Sequence, residues 1–171
     1  GTAKFWPEGE DNLLVQALQR GLHGLGAPIP GIELRAHSEI PVARGLGSSG
    51  AAIAAGLSLA RVLAGEDPDQ PPGPDILQWA LEMEGHPDNS TASLLGGCTL
   101  AAPLASGLRV VQQDFHPAIG VALAWPATSL TTAVSRSALP DTLSHADAIE
   151  NPRRLALLLE GLREGDAQLL E

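Results

Sequence analysis

The chain has little with which to cross-link itself and little positive charge. Cys98 is the only cysteine in 171 residues, so an internal disulfide is excluded and a reducing compartment is the expected setting. Ten Lys and Arg stand against 20 Asp and Glu, a formal net charge of −10. A nucleic-acid surface needs a basic footprint, and that partner class is excluded. A nucleotide is not, because local dipoles and a metal ion outweigh a distant negative field. No apolar run approaches the roughly 20 residues that span a bilayer, so no membrane partner is expected. No signal peptide opens the sequence, which makes the cytoplasm the expected location. An initiating Met is also missing, and the residues before Glu171 read as an unfinished helix; a fragment of a longer protein is expected.

What is present is enough for a core. Hydrophobic residues make up 44% of the chain, which argues against disorder, and the length allows one ample domain or one domain with part of a second. Asp11 or Asn12 caps a first helix in which Leu14, Ala17, Leu18, Leu22 and Leu25 follow helical spacing, ended by Gly24 and Gly26. From Gly31 to Ile40 apolar and charged residues alternate, which predicts a half-buried strand. A helix rich in Ala and Leu is expected from Ser48 to Ala64, then a proline-rich loop from Gly65 to Pro74. Helices at 75–84 and 90–95 follow, then a hairpin of 99–102 with 108–112 around Ala105, Ser106 and Gly107. The continuous apolar run Ile119–Trp125 predicts a buried strand, and 131–139 a short helix closed by Pro140. Asn151 and Pro152 read as the cap and first residue of the last helix. Helices and strands mix without a regular βαβ beat, so the expected class is α+β, with a domain boundary near Phe115–Ala118.

The most informative stretch is Pro41-Val-Ala-Arg-Gly-Leu-Gly-Ser-Ser-Gly-Ala-Ala52. Glycines let a backbone approach a ligand closely, serines add hydroxyl donors, and the first turn of a helix offers unpaired N–H groups at the positive end of its dipole. Together they make a phosphate cradle. Gly45 to Gly50 is formally G-x-G-x-x-G, but a dinucleotide fingerprint needs a hydrophobic parallel strand before it and a βαβ unit around it. Here the preceding run alternates with charges and the following helix enters a proline loop. A Walker loop needs a Lys that is missing, and the H-R-D and D-F-G of protein kinases are missing too. A strand-to-helix turn that binds nothing stays open, although paired serines beside Arg44 exceed what a turn requires.

A second polar cluster follows: Glu84-Gly-His-Pro-Asp-Asn89 places two carboxylates, an imidazole and an amide within six residues at a helix-to-helix corner. Asp88 or Asn89 is placed to cap the next helix, and a capped corner is the simplest reading. A zinc site is disfavoured, since Cys98 is the only thiol and His86 the only imidazole nearby.

The glycine-serine stretch resembles the phosphate-binding motif of the small-molecule kinases that include galactokinase, homoserine kinase, mevalonate kinase and phosphomevalonate kinase. The run E-G-H-P-D-N followed by L-L-G-G resembles the substrate-binding signature of homoserine kinases. Thr131-Thr-Ala-Val-Ser-Arg-Ser-Ala-Leu-Pro140 is similar to a third segment of that group. These matches run from about Asn12 to Pro140. The resemblance implies a two-domain α+β kinase fold, here truncated at both ends. Residues 1–115 would be the ATP-binding domain lacking its first strands, and 116–171 the start of a truncated C-terminal α+β domain. It implies transfer of the γ-phosphoryl of ATP, with Mg²⁺, to the hydroxyl of L-homoserine, and is compatible with a homodimer. Pro41, Val42, Ala43, Arg44, Gly45, Leu46, Gly47, Ser48, Ser49, Gly50 and Ala51 would then bind ATP, with Ser48 and Ser49 at the phosphates and Asn12 at the adenine. Ser49 and Glu84 would ligate Mg²⁺, Glu82 being a rival for Glu84. Asp88 would pair with the homoserine ammonium, His86 and Asn89 would touch its polar groups, and Arg136 would hold its carboxylate through a planar fork, with Thr132 one turn earlier. Gly50 stands where Ala is more usual, and Ser90, Thr91 and Ser93 where apolar residues are common. A kinase for another small alcohol such as mevalonate, or a non-catalytic nucleotide-binding module, are the alternatives; Glu84, Asp88 and Arg136 speak against the second.

Overall fold

Asn12 opens the first helix, α1 (Leu13–Gly24), by accepting the Leu14 amide on its side-chain oxygen at 2.9 Å, the bond that defines an N-cap. The computed structural model describes residues 7–125 and 137–170. The expected stripe of α1 is the face it buries: Leu14, Ala17, Leu18 and Leu22 are all shielded. It packs on α2 (Ser48–Leu63). The two approach so closely that a Cβ on Gly56 would lie 2.3 Å from the Leu14 carbonyl oxygen and 2.6 Å from the Ala17 methyl. Helix α3 (Pro74–Glu84) starts with Pro at its first position and ends at a left-handed Gly85, the usual proline-first, glycine-last asymmetry. Its Ile76 and Ala80 complete a core with Ala17, Ile53 and Leu57, while Leu18, Leu22 and Ala60 form a second cluster. Full burial of each large aliphatic side chain contributes about 1.5–3 kcal/mol, so the helices are held by this interface far more than by their intrinsic propensity.

The expected loop runs from Gly65 to Gly73, Pro74 already belonging to α3. It is tied to the end of α2 by Arg61, which is 5% exposed. Its Nε pairs with Glu66 at 2.6 Å and its Nη2 donates to the Gln70 carbonyl at 3.0 Å. A short helix α4 (Asp88–Leu95) follows. Then come the antiparallel strands β1 (Cys98–Leu104) and β2 (Gly107–Gln113), with Leu104 opposite Gly107 and only Ala105 and Ser106 in the turn. The last helix is α5 (His145–Glu164). Mixed helix and sheet agree with the α+β expectation. No helix among the described residues is long and apolar enough to cross a membrane.

Three expectations are corrected. Residues 31–40 form no strand and are mostly exposed. Alternation supplies the faces of a strand but not the neighbouring strand whose ladder it needs, and β1 and β2 pair with one another. Ile119–Trp125 is not a buried strand either: Val121 is 71% and Leu123 65% exposed, without a ladder partner among the described residues. The last helix begins before Asn151, capped by Ser144, whose Oγ accepts the Asp147 amide at 3.1 Å, and Pro152 lies inside it. A Ser cap with its own hydrogen bond outranks an Asn-Pro pair as a start signal, at the expense of one interior backbone bond. The helix expected at 131–139 lies largely outside the described residues.

Candidate functional site

The segment between residue 40 and α2 turns sharply on left-handed backbone at Ala43 (φ 55°), Gly45 (72°) and Gly47 (75°). Gly47 is the N-cap of α2 and offers no side-chain cap, so the first-turn amides and the positive end of the dipole keep their capacity for an anion. Residues 42–49 wall a cavity of about 250 Å³, closed by Pro7, Asn12, Leu13, Ala52 and Asn89. All expected loop residues except Pro41, Gly50 and Ala51 line it. Asn12 lines it as well, but its amide is engaged on both sides, accepting from Leu14 and donating to the Pro7 carbonyl at 2.7 Å.

The polar corner meets this loop directly. Ser49 Oγ donates to Glu84 Oε1 at 3.2 Å, and Glu84 Oε2 accepts the Ser90 amide at 2.9 Å. One carboxylate at the end of α3 therefore joins the start of α2 to the start of α4. This corrects the expectation that Asp88 or Asn89 caps α4: both lie inside its first turn, Pro87 holds the cap position, and the cap is Glu84. Gly50 explains itself here, since a Cβ would come within 2.8 Å of the Asn89 Cβ and 2.9 Å of its carbonyl carbon. Asn89 is thereby pressed against α2 and reaches the cavity, whereas His86 and Asp88 stand beside it, outside the wall.

His86 Nδ1 and Asp88 Oδ1 are hydrogen-bonded, and Asp88 also accepts the Asn89 amide at 3.0 Å. Burial pushes the Asp88 carboxyl up, but the hydrogen bonds from His86 and Asn89 with the His86 charge outweigh it and hold the group below its ordinary value. Such a carboxylate is a good partner for a cation and a poor acceptor of a proton. Glu82 points elsewhere, accepting from Arg20 on α1 at 3.1 Å. Among the described residues no three His, Cys, Asp or Glu gather as a metal cluster. The hydroxyl and carboxylate of Ser49 and Glu84 are nonetheless hard oxygen donors beside an anion-seeking loop. That set suits Mg²⁺, which keeps several waters and takes one or two protein ligands together with phosphates. Thr132 and Arg136 lie outside the described residues.

Sequence reasoning missed several features. Nothing in the order of residues announces that Ala43 is left-handed, because an L-residue there is disfavoured by about 1–2 kcal/mol. The apolar wall that Leu13 and Ala52 add to the cavity is not among the expected site residues. The polar run after Asn89 resolves differently at each position: Thr91 Oγ1 lies 2.6 Å from the Pro87 carbonyl and 3.1 Å from Thr99 Oγ1. Ser90 Oγ is buried without a partner among the described residues, and Ser93 is exposed.

The chain is similar to known proteins. A homoserine kinase of Trichormus variabilis is 41% identical over 164 residues, covering 96% of this chain and 53% of that protein. One of Nostoc sp. is 42% identical over 164 residues with the same coverage. The crystal structure of a homoserine kinase from Cytophaga hutchinsonii superposes with a TM-score of 0.77 at 27% identity, over 99% of this chain and 54% of that one. The chain thus spans about half the length of the relatives it matches. The family model for the GHMP kinases N terminal domain matches residues 12–97, half of the chain and the part that contains both the glycine loop and the polar corner. The chain belongs to the GHMP kinase family.

Proposed function

We propose that the chain is part of a homoserine kinase, which moves the γ-phosphoryl of ATP to the hydroxyl of L-homoserine and yields O-phospho-L-homoserine for threonine biosynthesis in the cytoplasm. The observation that carries this reading is the single cavity to which residues 42–49 and Asn89 both contribute, with Ser49 joined to Glu84 at its edge. The homoserine kinases among the relatives support the choice of acceptor. Residues 1–115 would form the ATP-binding part and 116–171 the beginning of a second domain.

Phosphoryl transfer asks for alignment and neutralisation of charge more than for covalent chemistry. The loop amides and the α2 dipole hold the phosphates, with Ser48 and Ser49 adding hydroxyls. Mg²⁺, when bound, would supply positive charge at those phosphates, with Ser49 and Glu84 as its protein ligands. Glu84 stands beside Ser49 whereas Glu82 faces Arg20 on α1, which favours Glu84. Asp88, kept ionised by its hydrogen bonds, receives the homoserine ammonium, Asn89 and His86 orient the remaining polar atoms, and Arg136 with Thr132 takes the α-carboxylate. No residue is assigned as general base, since the depressed Asp88 carboxyl is matched to a cation. ADP release by the full-length protein should be stimulated by L-homoserine and far less by mevalonate, L-serine or galactose. Equal release with mevalonate would replace homoserine as the acceptor, and no release with any of the four would defeat the reading.

A further inference from the structure

Helix α4 carries Asp88 and Asn89, yet it has only eight residues and no side-chain cap from its own cap position. A helix that short is not stable alone in water, so its neighbours decide where those two side chains stand. At its far end Gln112 Nε2 donates to the Leu95 carbonyl at 2.9 Å and to that of Gly96 at 3.3 Å, occupying acceptors that a helix C-terminus leaves unpaired. At its near end Thr91, fully buried, sits 2.6 Å from the Pro87 carbonyl and 3.1 Å from Thr99 Oγ1. A threonine hydroxyl has one proton. With the Thr91 proton given to Pro87, Thr99 donates to Thr91, and a hydroxyl chain runs from β1 into the His86–Asn89 corner.

Thr99 and Gln112 are cross-strand partners in the hairpin. Directly opposed residues project from the same face of an antiparallel pair, and these two grip opposite ends of α4. We infer that the Thr99/Gln112 pair is a positioning device that sets α4, and with it Asp88 and Asn89, against the glycine loop. The fit it maintains is tight: the place a Gly50 Cβ would take is 2.8 Å from the Asn89 Cβ, so a shift of a few tenths of an ångström changes how Asn89 meets the cavity. Neither residue lines that cavity, so the pair acts through α4 and not by touching a ligand. The kinetic part of this inference rests on the homoserine kinase reading; the placement of α4 does not.

Two measurements on the full-length protein separate these parts. In Thr99→Val the KM for homoserine should rise about fivefold or more while the KM for ATP stays within about twofold, and Thr99→Ser should restore the wild-type value. Independently of activity, amide exchange at residues 89–91 should accelerate about tenfold in Thr99→Val, return in Thr99→Ser, and leave the buried amides of α1 and α2 unchanged. Gln112→Ala, at an exposed position, should loosen the same residues and serves if Thr99→Val fails to fold. Unchanged protection at 89–91 in these variants overturns the inference. So does a rise in both KM values together with lost protection across α1 and α2, which would mean a merely structural role. Should the wild-type enzyme ignore homoserine, the functional reading falls and the exchange data alone decide the positioning role.

Discussion

The two ends of the molecule spend the same kind of residue to opposite effect. In α1–α3, Leu18, Leu22, Ile53 and Leu57 are at most 2% exposed. After β2, Leu123 is 65%, Leu155 52% and Leu158 42% exposed. Leucine content does not separate these regions; opposing surface does. In the first, three helices present complementary stripes and glycine lets two of them touch. In the second, α5 exposes apolar side chains along its length and is laced by surface ion pairs such as Arg154–Glu150 at 2.8 Å. Hydrophobicity gives a segment the capacity to be buried, and only a partner turns that capacity into stability.

The contrast can be broken most forcefully by truncating one leucine in each region. Leu57→Ala, at a position with no exposure, should lower unfolding free energy by about 2–5 kcal/mol. Leu155→Ala, at an exposed position, should change it by less than about 0.5 kcal/mol. Urea unfolding of both variants tests the pair, and equal losses would abolish the distinction. A smaller effect comes from adding one methyl. Gly56→Ala, which collides with the Leu14 carbonyl and Ala17, should destabilise by about 1–3 kcal/mol. Gly120→Ala, with nothing within 4 Å, should fall within about 0.5 kcal/mol of wild type by the same measurement.

The smallest expected effect concerns charge. Hydrogen bonding from Arg163 holds the Glu160 carboxyl low on α5, as His86 and Asn89 do, against burial, for Asp88. A carboxyl depressed in the folded state stabilises above its unfolded pKa and loses that contribution as pH falls through its folded one. Asp88 is largely exposed, so Asp88→Asn should cost less than about 1 kcal/mol at neutral pH. The difference from wild type should vanish in acid below the ordinary carboxylate range. Thermal unfolding followed against pH checks this, and a difference that persisted in acid would remove the ionic explanation.

Much of the packed half was legible because each signal there is local. The 3.6-residue period of Leu14, Leu18 and Leu22, the Asn12 cap, and Pro74 and Gly85 at the two ends of α3 all act within a turn or two of where they are read. The strand expected at 31–40 failed for the opposite reason: Ile32, Leu34 and Ala36 alternate correctly, but a strand needs a neighbour that alternation cannot name. Pro152 misled because it is favoured at a helix start and merely tolerated inside, and the Ser144 cap upstream decided the boundary. In the site, residue type and order singled out Ser48 and Ser49, the resemblance singled out Asn89, and all three line the cavity. The resemblance also set Ser49 beside Glu84, 35 positions away, whereas the bond from the Ser90 amide to the other Glu84 oxygen was not legible in the order of residues. The polar residues after Asn89 looked like poor packing, yet Thr91 is paired on both sides.

The missing side chain at Gly50 has one further consequence. Where a methyl group has no room, a solvent molecule has none, so α2 and α4 meet in a dry, unlubricated contact at the rim of the cavity. Displacement of the glycine loop is therefore passed to Asn89 through repulsion between packed atoms, without a layer of water to absorb it. The start of α2 and the start of α4 therefore meet as parts of one stiff wall.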